Sequence, residues 1–510
     1  MNSDSRLIRL DANRLRVANP RGLDAVLFAN CEVPVESAAI DELLALLKLE
    51  NTVERFASVS PSSFDETPAL RRVVLTPDFH KANGIPVGSV LATRGFAVPQ
   101  AIGNDVNCGM RLHLTDIAAD RLDGHLDELE TAMRHLFFEG GRNIPMTGRQ
   151  REALLRSGLE GLFAATPRSF DDGLWRLVHA TGAERDLDRV ERRGSLPSSR
   201  VVGLEDYIGE ANHLSRDSQI GSIGGGNHFV EIQRVETILD GPTAYGWGMR
   251  AGMVTVMVHT GSLSVGHLVG GHVRDAMRTL FPPSLRHPEN GVFVLPAGER
   301  HRAAWELFWD ALHNAANFAF ANRLFLALAA FEGLRRVLGE SAFPLLYDAP
   351  HNFVWRETIG GEDLLVHRKG ACPARGFAEM AGGPFAFWGE PVLVPGSMGA
   401  SSFVLAGRGL VDSLHSASHG AGRALSRGDA SRGHEAEFAA FLERFHVVTP
   451  VDMRRPEVRL RRDIVQRKLE ELQQEAPFAY KGVGPVIDTL MGAGIAKPVA
   501  ELRPIMTIKG

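Results

Sequence analysis

The sequence predicts an α+β fold, a sheet core flanked by helices with loops converging on one site. Three observations carry that prediction. Short apolar runs at 73–76, 254–258, 343–346, 364–366 and 392–394 each end in polar, Gly-rich sequence, as buried strands feeding loops do. Helical patterning covers 37–50 and 302–338, and a block from 113 to about 200 is rich in Arg, Asp and Glu with few strand signals. Each apolar run also leads within a few residues to His, Asp, Asn, Ser or Gly, and loops on rigid strands are where binding groups concentrate. The chain is read as one catalytic domain over 1–510, with 113–200 as a helical appendage within it.

Composition narrows the function. Hydrophobic residues at 44% and charged residues at 23% exclude global disorder. With 56 Lys+Arg against 61 Asp+Glu the net charge is −5, which excludes a uniformly basic nucleic-acid binder. Any such partner must be held by a local patch, and Arg454, Arg455, Arg459, Arg461, Arg462, Arg467 and Lys468 form the densest basic run. Three cysteines cannot close a disulfide framework. The first ten residues lack the apolar core of a signal peptide, and the most apolar helix is interrupted by Arg323 and Glu332. A soluble, cytoplasmic protein without a membrane partner is expected.

The chemistry starts at Gly103-Asn104-Asp105-Val106-Asn107-Cys108-Gly109. Asp105 and Cys108 sit three apart between glycines that allow tight turns, close enough to grip one ion. Alone, that pattern is usually a turn and a buried thiol. Three histidines in similar contexts change the reading: His228 after Gly224-Gly225-Gly226, His259 at the end of an apolar run, and His351 after Tyr347-Asp348. One Asp, one Cys and three His exceed the ligands of a single four-coordinate catalytic ion, so two ions bridged by the thiolate are expected. Ligand softness alone favours Zn²⁺.

Anion-binding signals follow. Pro395-Gly396-Ser397-Met398-Gly399 with Ser402 is a Gly/Ser loop that can present backbone N–H groups to a phosphate. His419-Gly420-Ala421-Gly422-Arg423, with Arg427 a turn later, lets a bulky ligand approach a histidine outside the five-ligand set. His367-Arg368-Lys369-Gly370 adds clustered cations, and no Walker-type phosphate loop is present.

Taken in order, these segments resemble the RtcB family of RNA-splicing ligases. The resemblance runs from Pro77-Asp78-Phe79-His80 through Gly226-Asn227-His228-Phe229-Val230-Glu231, His259-Thr260-Gly261-Ser262 and Ala316-Asn317-Phe318-Ala319. It continues through His351-Asn352, His419-Gly420-Ala421-Gly422-Arg423 and Ala479-Tyr480-Lys481 to Leu502-Arg503-Pro504 and Lys509-Gly510. It implies an RtcB-like fold built on a dinuclear centre. The implied activity is a GTP-dependent ligase that joins RNA 3′-phosphate or 2′,3′-cyclic phosphate ends to 5′-hydroxyl ends. His419 would be the nucleophile that takes GMP from GTP, and Asp105, Cys108, His228, His259 and His351 would hold two Mn²⁺, in place of the zinc suggested by softness. Nucleotide-binding positions would be Asn227, His228, Phe229, Val230, Glu231, His351 and Asn352. The loop residues Pro395, Gly396, Ser397, Met398 and Ser402 join them, as do His419, Gly420, Ala421, Gly422, Tyr480 and Lys509. RNA (tRNA or broken ends) and an activator of the archease kind are the implied partners.

The chain departs from the family pattern in three places. Leu263-Ser264 stands where Arg-Gly is usual, Ser418 where Cys is common, and Pro350 where a small residue such as Ala is usual. The five ligands and the nucleophile are intact, so the departures bear on the acceptor more than on guanylylation. Two other classes use the same residues: a dinuclear metallohydrolase of phosphate esters, and a non-catalytic GTP- or RNA-binding paralogue.

Overall fold

The computed structural model describes residues 4–288 and 290–510. The apolar runs become two large sheets. The first has seven strands in the order Leu7–Arg9, Arg14–Val17, Ala25–Phe28, Ala69–His80, Val87–Arg94, Glu362–Lys369 and Asn352–Ile359. Its one parallel pair, Ala25–Phe28 beside Ala69–His80, is joined by the helices Ser37–Leu47 and Leu49–Val59. Parallel neighbours need such a crossover.

The second sheet orders Leu345–Pro350, Gly109–Ala118, Met253–Thr260, Phe229–Ile238, Ala496–Ile508, Ser402–Gly407 and Pro391–Val394, all antiparallel. The short strand His446–Val448 adds in parallel beside Met506–Ile508. Register then decides what meets. Thr260 and Pro350 both lie opposite Gly109, His259 lies opposite Met110 and Phe229, and Val230 lies opposite Ile508. One edge of this sheet therefore gathers Cys108, His228, His259, His351 and Lys509. His351 also sits where the chain leaves this sheet at Pro350 and enters the first at Asn352.

Helix Arg302–Leu338 runs for 37 residues and is buried on nearly every side from Ala311 to Leu334, as an all-round apolar helix must be. Its few polar residues are used. Asn314, Asn317 and Asn322 accept backbone N–H groups of Val202, Leu196 and Gly221 at 2.8–2.9 Å. Helices Leu126–Phe138 and Gly148–Ala165 pack on it.

Three element boundaries differ from the sequence reading. Residues 113–118, placed at the start of the helical block, are the second half of strand Gly109–Ala118. Met110, Leu112 and Leu114 alternate with polar residues, yet those polar residues are buried too, because Arg111 pairs with Asp348 at 3.0 Å and with His113. That burial hides the usual inside–outside contrast. The strand expected at 343–346 is Leu345–Pro350, and the helix expected over 37–50 divides at Lys48. Among the described residues no helix is long and apolar enough to cross a membrane.

Candidate active site

The turn before Gly109 sets the donor atoms. Cys108 N–H closes on the Asp105 carbonyl at 3.1 Å, with Asn107 between them at φ +55°. Gly261 lets Asp105 approach, since a Cβ there would lie 2.6 Å from the carboxylate oxygens. Leu263, itself at φ +53°, donates its N–H to Asp105 Oδ1 at 2.7 Å.

Two groups of ligand atoms result, Asp105–Cys108–His228 and Cys108–His259–His351, and Cys108 belongs to both. Its Sγ lies 3.2 Å from His228 Nε2 and 3.4 Å from His259 Nε2, and His259 Nε2 lies 3.3 Å from His351 Nε2. The donor chemistry calls for cations. His228 Nδ1 is held on the Ile223 carbonyl at 3.1 Å, which turns Nε2 toward Asp105 Oδ2 at 3.0 Å and toward Cys108 Sγ. Burial drives His259 and His351 well below the ordinary histidine range and keeps them neutral. Burial, with Asp105 beside it, raises the Cys108 thiol. A divalent ion reverses that last shift by binding the thiolate. The residues fit one transition-metal ion per group with the sulfur shared.

His419 stands beside this edge, its ring centroid 4.7 Å from that of His351. It follows strand Ser416–Ser418, and its Nδ1–H donates to Asp78 Oδ2 at 2.6 Å from strand Ala69–His80. Thr76 holds the other Asp78 oxygen. This fixes the tautomer, and His419 Nε2 takes no hydrogen bond among the described residues. Both histidines open onto one cleft of about 330 Å³.

Most of the residues expected at a nucleotide meet there. Asn227, His228, Phe229, His351 and Asn352 line the cleft from one side, and Pro395, Gly396, Ser397 and Met398 from another. His419, Gly420, Ala421, Gly422, Tyr480 and Lys509 line it as well. Val230, Glu231 and Ser402 lie behind the wall. Glu231 is 2% exposed and accepts from Thr507, a lining residue, at 2.5 Å and from Gln233 at 2.7 Å. Burial lifts its carboxyl to about 7. Ser402 Oγ accepts from the Gly396 N–H at 3.1 Å and so shapes the loop from behind. Lys509 Nζ donates to the Gly226 carbonyl at 2.6 Å, and burial lowers it to about 8.

The cationic segments are trimmed by the structure. His367 and Arg368 are internal, the first accepting the Val98 N–H and the second paired with Glu357, so only Lys369 and Gly370 reach the cleft. In the basic run, Arg454, Arg455 and Arg461 are paired with Glu130, Glu139 and Asp463. Lys468 lines a second cleft of about 450 Å³ that meets the first at Arg427, Glu475 and Lys509. Sequence reasoning missed Asp78, Glu475 and Thr507 as site residues. An Asp two residues before a His at a strand end was a usable signal for Asp78. None marked Glu475, which accepts from Tyr480 and pairs with Arg423 at 3.3 Å.

Fold and site together define an α+β protein whose cleft of about 330 Å³ brings two groups of potential metal ligands beside an Asp-held histidine. The chain belongs to the RtcB family, whose model, described as tRNA-splicing ligase RtcB, matches residues 63–510. It is 31% identical to the tRNA-splicing ligase RtcB of Thermococcus kodakarensis, covering 94% of this chain and 95% of that one. It is 31% identical over the same shares to the protein of that name from Pyrobaculum aerophilum. The RNA-splicing ligase RtcB of Mycobacterium tuberculosis is 32% identical over 85% of this chain and 96% of its own.

Proposed function

We propose that this protein is a GTP- and Mn²⁺-dependent RNA ligase. It joins 3′-phosphate or 2′,3′-cyclic phosphate ends to 5′-hydroxyl ends through guanylylated His419. The observation that carries the reading is the Asp78–His419 pair at the wall of the cleft that also holds the two ligand groups. In a metallohydrolase the same pair would only move protons, so covalent label on His419 separates the two readings. With its proton held on Nδ1, His419 Nε2 attacks the α-phosphorus of GTP; the P–N bond forms, the bond to the β-phosphate oxygen breaks, and pyrophosphate leaves. An oxygen of the RNA 3′-phosphate then displaces the histidine, and the 5′-hydroxyl displaces GMP. Asp105, Cys108, His228, His259 and His351 would hold two Mn²⁺, which supply positive charge to the phosphates.

Lys509 and the Ser397 loop approach the nucleotide directly, whereas Glu231 acts through Thr507. RNA and GTP are the substrates in this reading, and an activator of the archease kind belongs with it. The whole chain serves as one catalytic unit, with the helices up to about residue 200 as its appendage. Incubation with Mn²⁺ and α-labelled GTP tests the reading. Label that is acid-labile, alkali-stable and absent from His419→Ala is expected. Label retained by the variant would place the nucleophile elsewhere.

A further inference from the structure

His80 ends strand Ala69–His80 and lines the cleft, yet neither metal binding nor guanylylation uses it. Its Nδ1–H donates to the Asp78 carbonyl at 2.8 Å. The carboxylate of the same Asp78 holds His419. One residue thus fixes two imidazoles in one tautomer, and neither Nε2 has a hydrogen-bond partner among the described residues. Burial lowers His80 to about 4, so it is neutral at pH 7 and its Nε2 is unprotonated.

The steps of the ligase reading differ in whether the nucleophile has a proton to lose. His419 attacks with a lone pair, and the RNA 3′-phosphate with an anionic oxygen. The 5′-hydroxyl alone of these three must be deprotonated as it attacks. His419, freed once the RNA has taken the guanylate and still held on Asp78 through Nδ1, is the one rival base at this step, and the others lining the cleft are committed. His228, His259, His351, Asp105 and Cys108 form the ligand groups. Glu475 accepts from Tyr480 and Arg423. Lys369 and Lys509 hold their ammonium groups on the Ile85 and Gly226 carbonyls.

We propose, on the basis of the ligase reading, that His80 is the general base that takes the proton of the RNA 5′-hydroxyl in the sealing step. Its Nε2 accepts that proton as the 5′-oxygen bonds to the RNA 3′-phosphorus. The bond from that phosphorus to the oxygen bridging it to the guanylate breaks, and GMP leaves with the electron pair. The imidazolium is steadied by the Nδ1–H bond to the Asp78 carbonyl, the orienting role that a third group plays for any catalytic base, and later returns its proton to water.

The test uses the full chain with Mn²⁺, GTP and a 3′-phosphate/5′-hydroxyl RNA pair. It compares wild type with His80→Ala and with His80→Asn, which can keep the bond to Asp78 but has no basic nitrogen. Both variants should label His419 and activate the RNA 3′ end close to the wild-type rate. Sealing should fall by about 10²-fold or more, the guanylylated RNA should accumulate, and added imidazole should restore part of the sealing by His80→Ala. Sealing close to wild type in both variants overturns the role. So does a parallel fall of labelling and sealing in both, which would make His80 structural. A wild-type chain that takes no label overturns the ligase reading itself, and the role with it.

Discussion

In the proposed mechanism the covalent chemistry would turn on Asp78, because its bond to Nδ1 leaves Nε2 of His419 as the nitrogen that would attack. Replacing it by Asn keeps the shape but lets the amide donate to the ring, which favours the wrong tautomer. Asp78→Asn should therefore slow His419 labelling by about 10²-fold or more while metal content, read by elemental analysis, stays at wild type. Cys108 would be the corresponding residue for the proposed metals, since both groups of potential ligands include it. A serine hydroxyl is too basic to replace a thiolate at neutral pH. Cys108→Ser should lower bound metal more than His228→Ala or His259→Ala, and unchanged stoichiometry would remove the bridging role. Leu263 offers a gain instead of a loss. Its backbone holds Asp105, but its side chain brings no charge to the metal edge. Leu263→Arg should improve sealing of a standard RNA pair about tenfold, the worth of one charge-assisted contact to phosphate, without altering the labelling rate. No gain would mean that another cation, with Arg427 the nearest in kind, already serves.

At the level of elements, strand Ala496–Ile508 carries the end of the cleft lined by Thr507 and Lys509, where the proposed nucleotide would sit. It is hydrogen-bonded on both sides, to Phe229–Ile238 and Ser402–Gly407, so the Lys509 that follows has a fixed position. Lys509 N–H is itself bonded to the Val448 carbonyl at 2.9 Å. Deleting Lys509 and Gly510 should abolish labelling, while the melting temperature without GTP stays within a few degrees of wild type. The same strand buries Glu231 through Thr507, and that burial has a pH signature. The folded-state pKa, about 7, lies above the 4.5 ordinary for a glutamate. The protonated form is therefore favoured by folding, and its contribution is fully present below 4.5 and lost as pH rises through 7. Between those limits the loss is at most about 1.4 kcal/mol per pH unit. Glu231→Gln should flatten this part of the stability–pH curve in denaturant melts. A curve of unchanged slope would mean that Glu231 is ionised throughout. The partly alternating apolar run 502–508 reads as a strand from the sequence alone, but the layering of Glu231 behind Thr507 does not, because it depends on which strand lies opposite.

At the level of the molecule, the clustering of Asp105, Cys108, His228, His259 and His351 was legible because each stands in a Gly-rich or strand-end segment. What could not be read were pairings between distant segments, such as Asp78 with His419 and the ion network under the metal edge. Arg323, which in the sequence only interrupts an apolar helix, is the centre of that network. It is fully buried on helix Arg302–Leu338, and its Nε donates to Asp348 Oδ1 at 2.9 Å. Its Nη1 donates to the carbonyls of Asn107 at 2.6 Å and Thr260 at 3.0 Å, the residues next to Cys108 and His259. The long helix thereby holds two ligands through one guanidinium. Arg111, equally buried, pairs with the other Asp348 oxygen but donates to neither carbonyl. The two arginines should therefore separate stability from metal binding. Arg323→Met leaves the Arg111–Asp348 pair balanced and two buried carbonyls without their donor, each costing about 1–3 kcal/mol. Arg111→Met should cost a similar few kcal/mol by stripping one side of Asp348. Only Arg323→Met should also weaken Mn²⁺ affinity, by about tenfold or more, the range seen when groups supporting a metal's ligands are removed. Titration of Mn²⁺ into both variants, below their unfolding transitions, checks this. Equal affinities would mean that the turn at Asp105–Cys108 holds its shape without the helix.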